Sequence, residues 1–287
     1  MEASGGATVD LQALLGIARE AVTAAAELLA NARPSSIRTK SNPRDLVTEW
    51  DVRSEQTIRE VLQKHTAFTI LGEEGGEVAG DVARADVARD LRWVVDPIDG
   101  TVNFAHGLPL WAIALSCERG VTRTDGPTET LVGVVAVPAL GWWFEGTLGG
   151  GATCNGEPMK VSAIGRLEQA LLATGFPYDR ATNPLNNFAE WEYFQRKAGA
   201  CRRLGAASID LCLVARGALD GYWERHLKAW DIAAGALFVT EAGGTVTNTR
   251  GAPLDPHQGT VVASNGAIHD ELITGLRDVR PKSEEPV

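Results

Sequence analysis

The residues best suited to chemistry stand in the run Asp96-Pro97-Ile98-Asp99-Gly100-Thr101-Val102-Asn103-Phe104, directly after the apolar stretch Arg92-Trp93-Val94-Val95. Proline drives the residue before it into extended geometry, so Asp96 is expected at the carboxyl end of a strand. A tight turn over residues 97–100 would then fold Asp99 back beside it. Two carboxylates converging in this way bind Mg²⁺, with water and substrate phosphate completing the shell. If a helical turn begins at Gly100 and Thr101, their backbone N–H groups point to the same place and can cradle a phosphate. The same residues also read as an ordinary type I turn with Asp and Gly in their favoured positions.

Other acids bear on that choice. Ile70-Leu71-Gly72-Glu73-Glu74-Gly75-Gly76 again presents a short apolar strand followed by acids on a glycine-rich turn. Glu73 there either completes a metal shell or belongs to a solvated acidic loop. In Ala229-Trp230-Asp231-Ile232-Ala233-Ala234-Gly235, Asp231 leads an apolar helix, as a ligand or as a plain N-cap. Asp51 is the fourth, with Lys40, Asp45 and Thr48 just upstream. Whether these four segments meet in space is not visible along the chain.

The elements that must position them follow from hydrophobic periodicity. Residues 9–31 place Leu11, Leu14, Leu15, Ala18, Val22, Ala25, Leu28 and Leu29 on one helical face, with Asp10 as N-cap and Pro34 as the stop. A second helix is expected over 51–64, with Ile58, Val61 and Leu62 as its stripe. Residues 40–51 between them read as a charged connection turning at Asn42-Pro43. Strands are expected at 68–71, 93–95, 112–117, 131–137 and 142–145, the last two forming a hairpin through 138–141. Turns at Gly149-Gly150-Gly151 and Asn155-Gly156 lead into alternating strand and helix, over 171–174, 209–215, 220–223, 232–241 and 261–263, and a closing helix at 269–276. This divides the chain into an N-terminal α+β half (1–155) with most of the candidate ligands and a C-terminal α/β half (156–287) with Asp231, in one catalytic unit. Gly243-Gly244 suits a left-handed helix end, and residues 281–287 are expected to be disordered.

Composition excludes several function classes. Of 287 residues, 44% are hydrophobic and 22% charged, the balance of a soluble globular protein. Acids outnumber bases 37 to 27, a net charge of −10, which disfavours nonspecific attraction to nucleic acid or anionic lipid. No apolar run approaches the roughly 18 residues of a membrane span. The four cysteines form no CxxC pair, and the five histidines form no HExxH and no Cys/His quartet, so the common zinc patterns are absent. The opening MEASGGATVD lacks the basic start and apolar run of a secretory signal, so a cytoplasmic location is expected.

Taken in order, Lys40-Ser41 through Asp45-Leu46-Val47-Thr48 to Asp51, then Gly72-Glu73-Glu74, residues 96–104, and Trp230-Asp231-Ile232-Ala233-Ala234-Gly235 resemble the motif set of the inositol monophosphatase family. The resemblance runs from about Leu11 to Ala263 and includes Asn155-Gly156, Gly205-Ala206-Ala207-Ser208 and Glu241-Ala242-Gly243-Gly244. It implies a layered α-β-α-β-α sandwich of the sugar-phosphatase type, usually a homodimer, that uses Mg²⁺ and is sensitive to lithium. Its substrates are small phosphorylated polyols, not nucleic acids or membranes.

Carried over, the resemblance assigns Glu73, Asp96 and the Ile98 carbonyl to one Mg²⁺. It assigns Asp96, Asp99 and Asp231 to a second, with a weaker third ion near Glu73. Gly100 and Thr101 would hold the phosphate, Thr101 and Asp51 would position the attacking water, and Lys40 would lie close by. Asp231, Ala207 and Glu224 would meet the rest of the substrate, although Glu224 also reads as a surface acid paired with Arg225. Ser208 and Asp210 differ from the residues of some members, which bears on fine specificity. A phosphate dianion among so many carboxylates is repelled by about 4 kcal/mol per pair at about 4 Å and an effective dielectric near 20, so cations must be bound for the site to work. The implied reaction is hydrolysis of inositol monophosphate. Alternatives are a related phosphomonoesterase, acting on histidinol phosphate, fructose 1,6-bisphosphate, a nucleotide 3′-phosphate or NADP, or a regulatory scaffold that has kept the fold.

Overall fold

The computed structural model describes residues 9–80, 90–122 and 127–279, so the expected disorder of 281–287 lies outside the described residues. Asp10 caps α1 (Leu11–Leu29) as its side chain accepts from the Gln12 and Ala13 N–H groups at 3.0 and 3.1 Å. The apolar stripe of α1 is buried at Leu14, Leu15, Ala18, Val22, Ala25 and Leu29. The charged connection after it is more ordered than its sequence implies. Within it β1 (Ile37–Thr39) and β2 (Leu46–Thr48) pair antiparallel, and the Lys40 N–H donates to the Asp45 carbonyl at 2.8 Å. The strand at 37–39 is exposed throughout, which is why it leaves no hydrophobic pattern to read.

Thr48 then caps α2 (Glu49–His65), which packs on α1. An eight-stranded sheet follows, built of β3 (Thr69–Gly72), β4 (Gly76–Val78), β5 (Leu91–Asp99), β6 (Ala112–Arg119), β7 (Glu129–Val137), β8 (Trp142–Thr147), β9 (Gly151–Cys154) and β10 (Glu157–Pro158). Its order is β10-β9-β8-β7-β6-β5-β3-β4, and α3 (Thr101–Ala105) is a short turn of helix after β5. The second sheet has five strands, ordered β12 (Ala200–Arg202), β11 (Leu171–Thr174), β13 (Gly221–Arg225), β15 (Thr260–Ser264) and β14 (Thr245–Thr247).

The elements stack in five layers, and the core around the middle layer reaches both sheets. The helices α1 and α2 cover one face of the large sheet around Ile58, Leu62, Trp93 and Leu115. Between the two sheets lie α5 (Ala207–Ala215) and α6 (Ala229–Glu241). Because sheets flank them on both sides, they are apolar around most of their circumference, and Ile232 to Val239 are all buried. The outer face of the small sheet carries α4 (Phe188–Lys197) and α7 (His269–Val279), packed at Phe194, Trp223, Ile268 and Leu272. The result is the α-β-α-β-α sandwich that the motifs implied. Helix α4 was not anticipated: only Glu190 and Phe194 of its ten residues are buried, too few to give a stripe.

Candidate active site

The site is built where the carboxyl end of β5 meets the amino ends of α5 and α6. Strand β5 does not stop at Pro97 in a type I turn but continues to Asp99 through a register shift. Asp96 stands opposite Ala114 and Asp99 opposite Ala112, so three steps on β5 match two on β6. In a regular strand residues three apart face opposite sides, and one extra residue restores them to the same side. The bulge is therefore what lets the two carboxylates converge. One oxygen each of Asp96, Asp99 and Asp231 lies within 4.8 Å of the others.

Each of these carboxylates is also fixed from behind. Asp96 Oδ1 accepts from the Ile98 N–H at 3.1 Å. Asp99 Oδ2 accepts from the N–H and hydroxyl of Ser208, at 2.7 and 2.5 Å, at the start of α5. Asp231 Oδ2 accepts from the Lys228 N–H at 2.6 Å, so Asp231 serves as helix cap and as member of the cluster at once. Burial, then the nearby charges of Glu73, Asp99 and Asp231, pushes the Asp96 carboxyl well above the usual range. Burial does the same to Asp231, with Asp99 and Glu73 adding to it. Asp99 is raised by burial too, against the opposing bonds from Ser208.

Glu73 follows β3 and approaches from the other side. Its Oε1 accepts from Lys40 Nζ at 2.8 Å, and the same ammonium also pairs with Glu74. Burial raises the Glu73 carboxyl to about 7, although Lys40 opposes the shift. Burial would lower the Lys40 ammonium, but Glu73 and Glu74 outweigh it and hold its pKa above the usual value. Buried Glu55 steadies this loop, accepting from the Glu74 and Gly75 N–H groups at 2.7 and 2.8 Å. Sequence reasoning missed Glu55, although it falls with Asp51, Ser54, Ile58 and Leu62 on the buried face of α2. Acids on an apolar stripe were the available signal.

Asp51 is buried at the third position of α2. Its Oδ2 accepts from the Thr48 N–H and hydroxyl at 2.8 and 2.6 Å, and its Oδ1 from the Thr101 hydroxyl at 2.9 Å. The Thr101 hydroxyl also lies 3.0 Å from the Ile98 carbonyl oxygen. Burial raises the Asp51 carboxyl, against the bonds from Thr48 and Thr101. Gly100 precedes α3 with φ +86°, and a β-carbon there would lie 3.0 Å from the Leu110 carbonyl oxygen, so the turn needs glycine.

Above the cluster opens a cavity of about 770 Å³ lined by Lys40, Glu73, Asp99, Ala207, Glu224 and Asp231, among others. Glu224 accepts from the Tyr222 hydroxyl, and burial raises its carboxyl to about 7. The alternative of a surface pair with Arg225 does not hold: Arg225 is buried and donates to Glu190 at 2.9 Å. Of the residues named from the sequence, Lys40, Glu73, Asp99, Ala207, Glu224 and Asp231 line this cavity, Asp96 joins Asp99 and Asp231 in the acid cluster, and Asp51 and Ile98 are linked through the Thr101 hydroxyl. The three carboxylates of Asp96, Asp99 and Asp231 offer hard oxygen donors of the kind that suits Mg²⁺.

The family model for the inositol monophosphatase family matches residues 10–280. The chain belongs to the inositol monophosphatase family. As a member it is a phosphatase. It is 41% identical to an inositol-1-monophosphatase of Synechocystis sp., over 93% of this chain and 90% of that protein. It is 38% identical to the Nus factor SuhB of Pseudomonas aeruginosa, over 95% and 99%. The solved inositol monophosphatase of Anabaena (Nostoc) sp. superposes with a TM-score of 0.82 at 36% identity, covering 96% of this chain and all of that one. Consistent with this family, no helix among the described residues is long and apolar enough to cross a membrane.

Proposed function

We propose that this chain hydrolyses inositol monophosphate to inositol and phosphate in a Mg²⁺-dependent reaction, with tolerance for other polyol phosphates. The observation that carries the reading is the convergence of Asp96, Asp99 and Asp231 within 4.8 Å beneath a cavity large enough for a phosphorylated polyol. Glu73, Asp96 and the Ile98 carbonyl would hold one Mg²⁺, and Asp96, Asp99 and Asp231 a second, with a third near Glu73. Bound there, the ions would lower the pKa of the attacking water and neutralise charge on the phosphoryl and leaving oxygens.

The chain's own groups do the rest. The N–H groups of Gly100 and Thr101, at the start of a helical turn, hold the phosphate. Asp51, fixed by Thr48 on one oxygen, orients the Thr101 hydroxyl, and the pair positions water for in-line attack. Lys40, held by Glu73 and Glu74, contributes a cation beside the acid cluster. Ala207 lies where the polyol ring would rest, and Glu224 accepts from its hydroxyls. No side chain within these motifs is placed as a covalent nucleophile, so one direct displacement suffices.

The test is kcat/KM with Mg²⁺ across inositol 1-phosphate, histidinol phosphate, fructose 1,6-bisphosphate, a nucleotide 3′-phosphate and NADP. Inositol 1-phosphate is expected to lead, with millimolar Li⁺ reducing the rate; a clear preference for another ester refutes the substrate. The resemblance further supports a cytoplasmic homodimer, to be checked by light scattering. Similarity to a protein named Nus factor favours a second reading, regulation through a protein partner. A catalytically dead variant that still rescues a deletion strain would establish that role.

A further inference from the structure

Asp210 lines the cavity but has no part in the reaction just described. It lies in the first turn of α5, three residues after Ala207, so both face the cavity from the same side of the helix. Only 1% of its surface is exposed, and its Oδ1 has no hydrogen-bond partner among the described residues. A buried acceptor left unpaired is costly, more so if charged, so such a group is kept where something else bonds to it. The neighbouring acid, Glu224, has a different situation: its Oε2 is engaged by Tyr222. A β-carbon at Gly175, which also lines the cavity, would lie 2.1 Å from the Glu224 carboxylate oxygens, so backbone packs directly against that acid. Arg203 lines the same cavity and brings a positive charge to a wall that otherwise holds two acids.

We propose that Asp210 is a specificity-determining residue that accepts a hydrogen bond from a hydroxyl of the bound polyol, one that Glu224 does not reach. This rests on the polyol-phosphate reading above and deepens it. Two acids on different elements, α5 and β13, then read two hydroxyls of one ring, and the site selects for a ring that presents both. Asp210 makes no contact with the reacting phosphate in this arrangement. Its loss weakens recognition of hydroxylated esters and spares esters without hydroxyls.

The experiment compares wild type with Asp210→Asn and Asp210→Ser on inositol 1-phosphate and on phenyl phosphate, with thermal melting of each variant. The expected result is a fall of about 10-fold or more in kcat/KM for inositol 1-phosphate, carried mainly by KM, with phenyl phosphate within about twofold of wild type. A set of monodeoxy inositol phosphates supplies the second readout. One of them loses activity in wild type yet is no worse than the parent ester in Asp210→Ser, because the lost hydroxyl and the lost carboxylate are the two ends of one bond. Equal losses on both esters, or additive losses for every deoxy analogue, overturn the proposal in favour of a structural role. The function reading fails separately, through the wild-type panel. If wild type prefers another polyol phosphate, the same comparison is made on that ester. Wild-type turnover of phenyl phosphate with no polyol ester overturns both.

Discussion

The Thr101 hydroxyl sits 2.9 Å from Asp51 Oδ1 and 3.0 Å from the Ile98 carbonyl oxygen, although Asp51 and Thr101 are 50 residues apart. This joins the first turn of α2 to the first turn of α3, and so joins the proposed water-positioning acid to the proposed phosphate-binding turn. Thr101→Val keeps the shape and removes the hydroxyl. Its kcat should fall by about two orders of magnitude, with a much smaller change in KM. Steady-state kinetics would decide it, and an unchanged kcat would remove Thr101 from the mechanism.

Asp96→Asn should abolish turnover while leaving the fold intact. The substitution removes one charge from a buried group that also contains Asp99 and Asp231, with Glu73 nearby. Metal-free Asp96→Asn should therefore melt at the same temperature as wild type or higher, whereas added Mg²⁺ should stabilise it less than wild type. Calorimetry with and without Mg²⁺ tests this; a variant with full activity would sink the cluster's role.

The metal-free protein should lose stability as pH rises. Burial raises Glu73 and Glu224 from an ordinary value of 4.5 to about 7, and Asp96 and Asp231 shift the same way. An acid whose folded pKa is raised contributes stability fully below its unfolded pKa and loses it as pH passes through the folded value. The window is thus pH 4.5 to about 7 for the two glutamates. Glu118 acts oppositely: bonds from His257 and Thr128 outweigh its burial and hold it low, so its contribution is lost only in more acid solution. Melting temperatures of chelated protein from pH 5 to 8 should decline, and Mg²⁺ should recover most of the loss at pH 8. A flat profile would contradict the buried-acid account.

Gly100→Ala should cost about 1–3 kcal/mol in stability, since φ +86° strains an alanine and its β-carbon meets the Leu110 carbonyl oxygen at 3.0 Å. Activity should fall further than stability, because the following N–H groups would shift from the phosphate. Urea unfolding alongside kcat/KM separates the two, and wild-type values for both would refute the turn's importance.

Much of this was legible in the chain because it is local. The stripe of α1, the Asp10 cap and the apolar strands before Glu73 and Asp96 are set by periodicity and capping over a few residues. The exposed β1 and the sparsely buried α4 were not legible, because neither buries enough surface to leave a pattern. Asp210 looked like a mere departure from a motif, since nothing along the chain says that its Oδ1 is buried with no partner among the described residues.

By itself the sequence determined which acids were available, which of them followed strands or led helices, and, through ordered motifs, the family. Only the tertiary structure decided that Asp96, Asp99 and Asp231 converge. Asp96 and Asp99 face the same way because pairing of β5 with β6 inserts one extra residue between them, a matter of parity set by a neighbouring strand. Asp231 reaches them across 132 residues from Asp99 because α6 is packed between two sheets. Lys40 binds Glu73 and Glu74 and not some surface acid, because the hairpin of β1 and β2 carries it there. Residue type and spacing fix local geometry, whereas convergence of like charges is imposed by the packing of distant elements, whose hydrophobic burial offsets the repulsion among buried carboxylates.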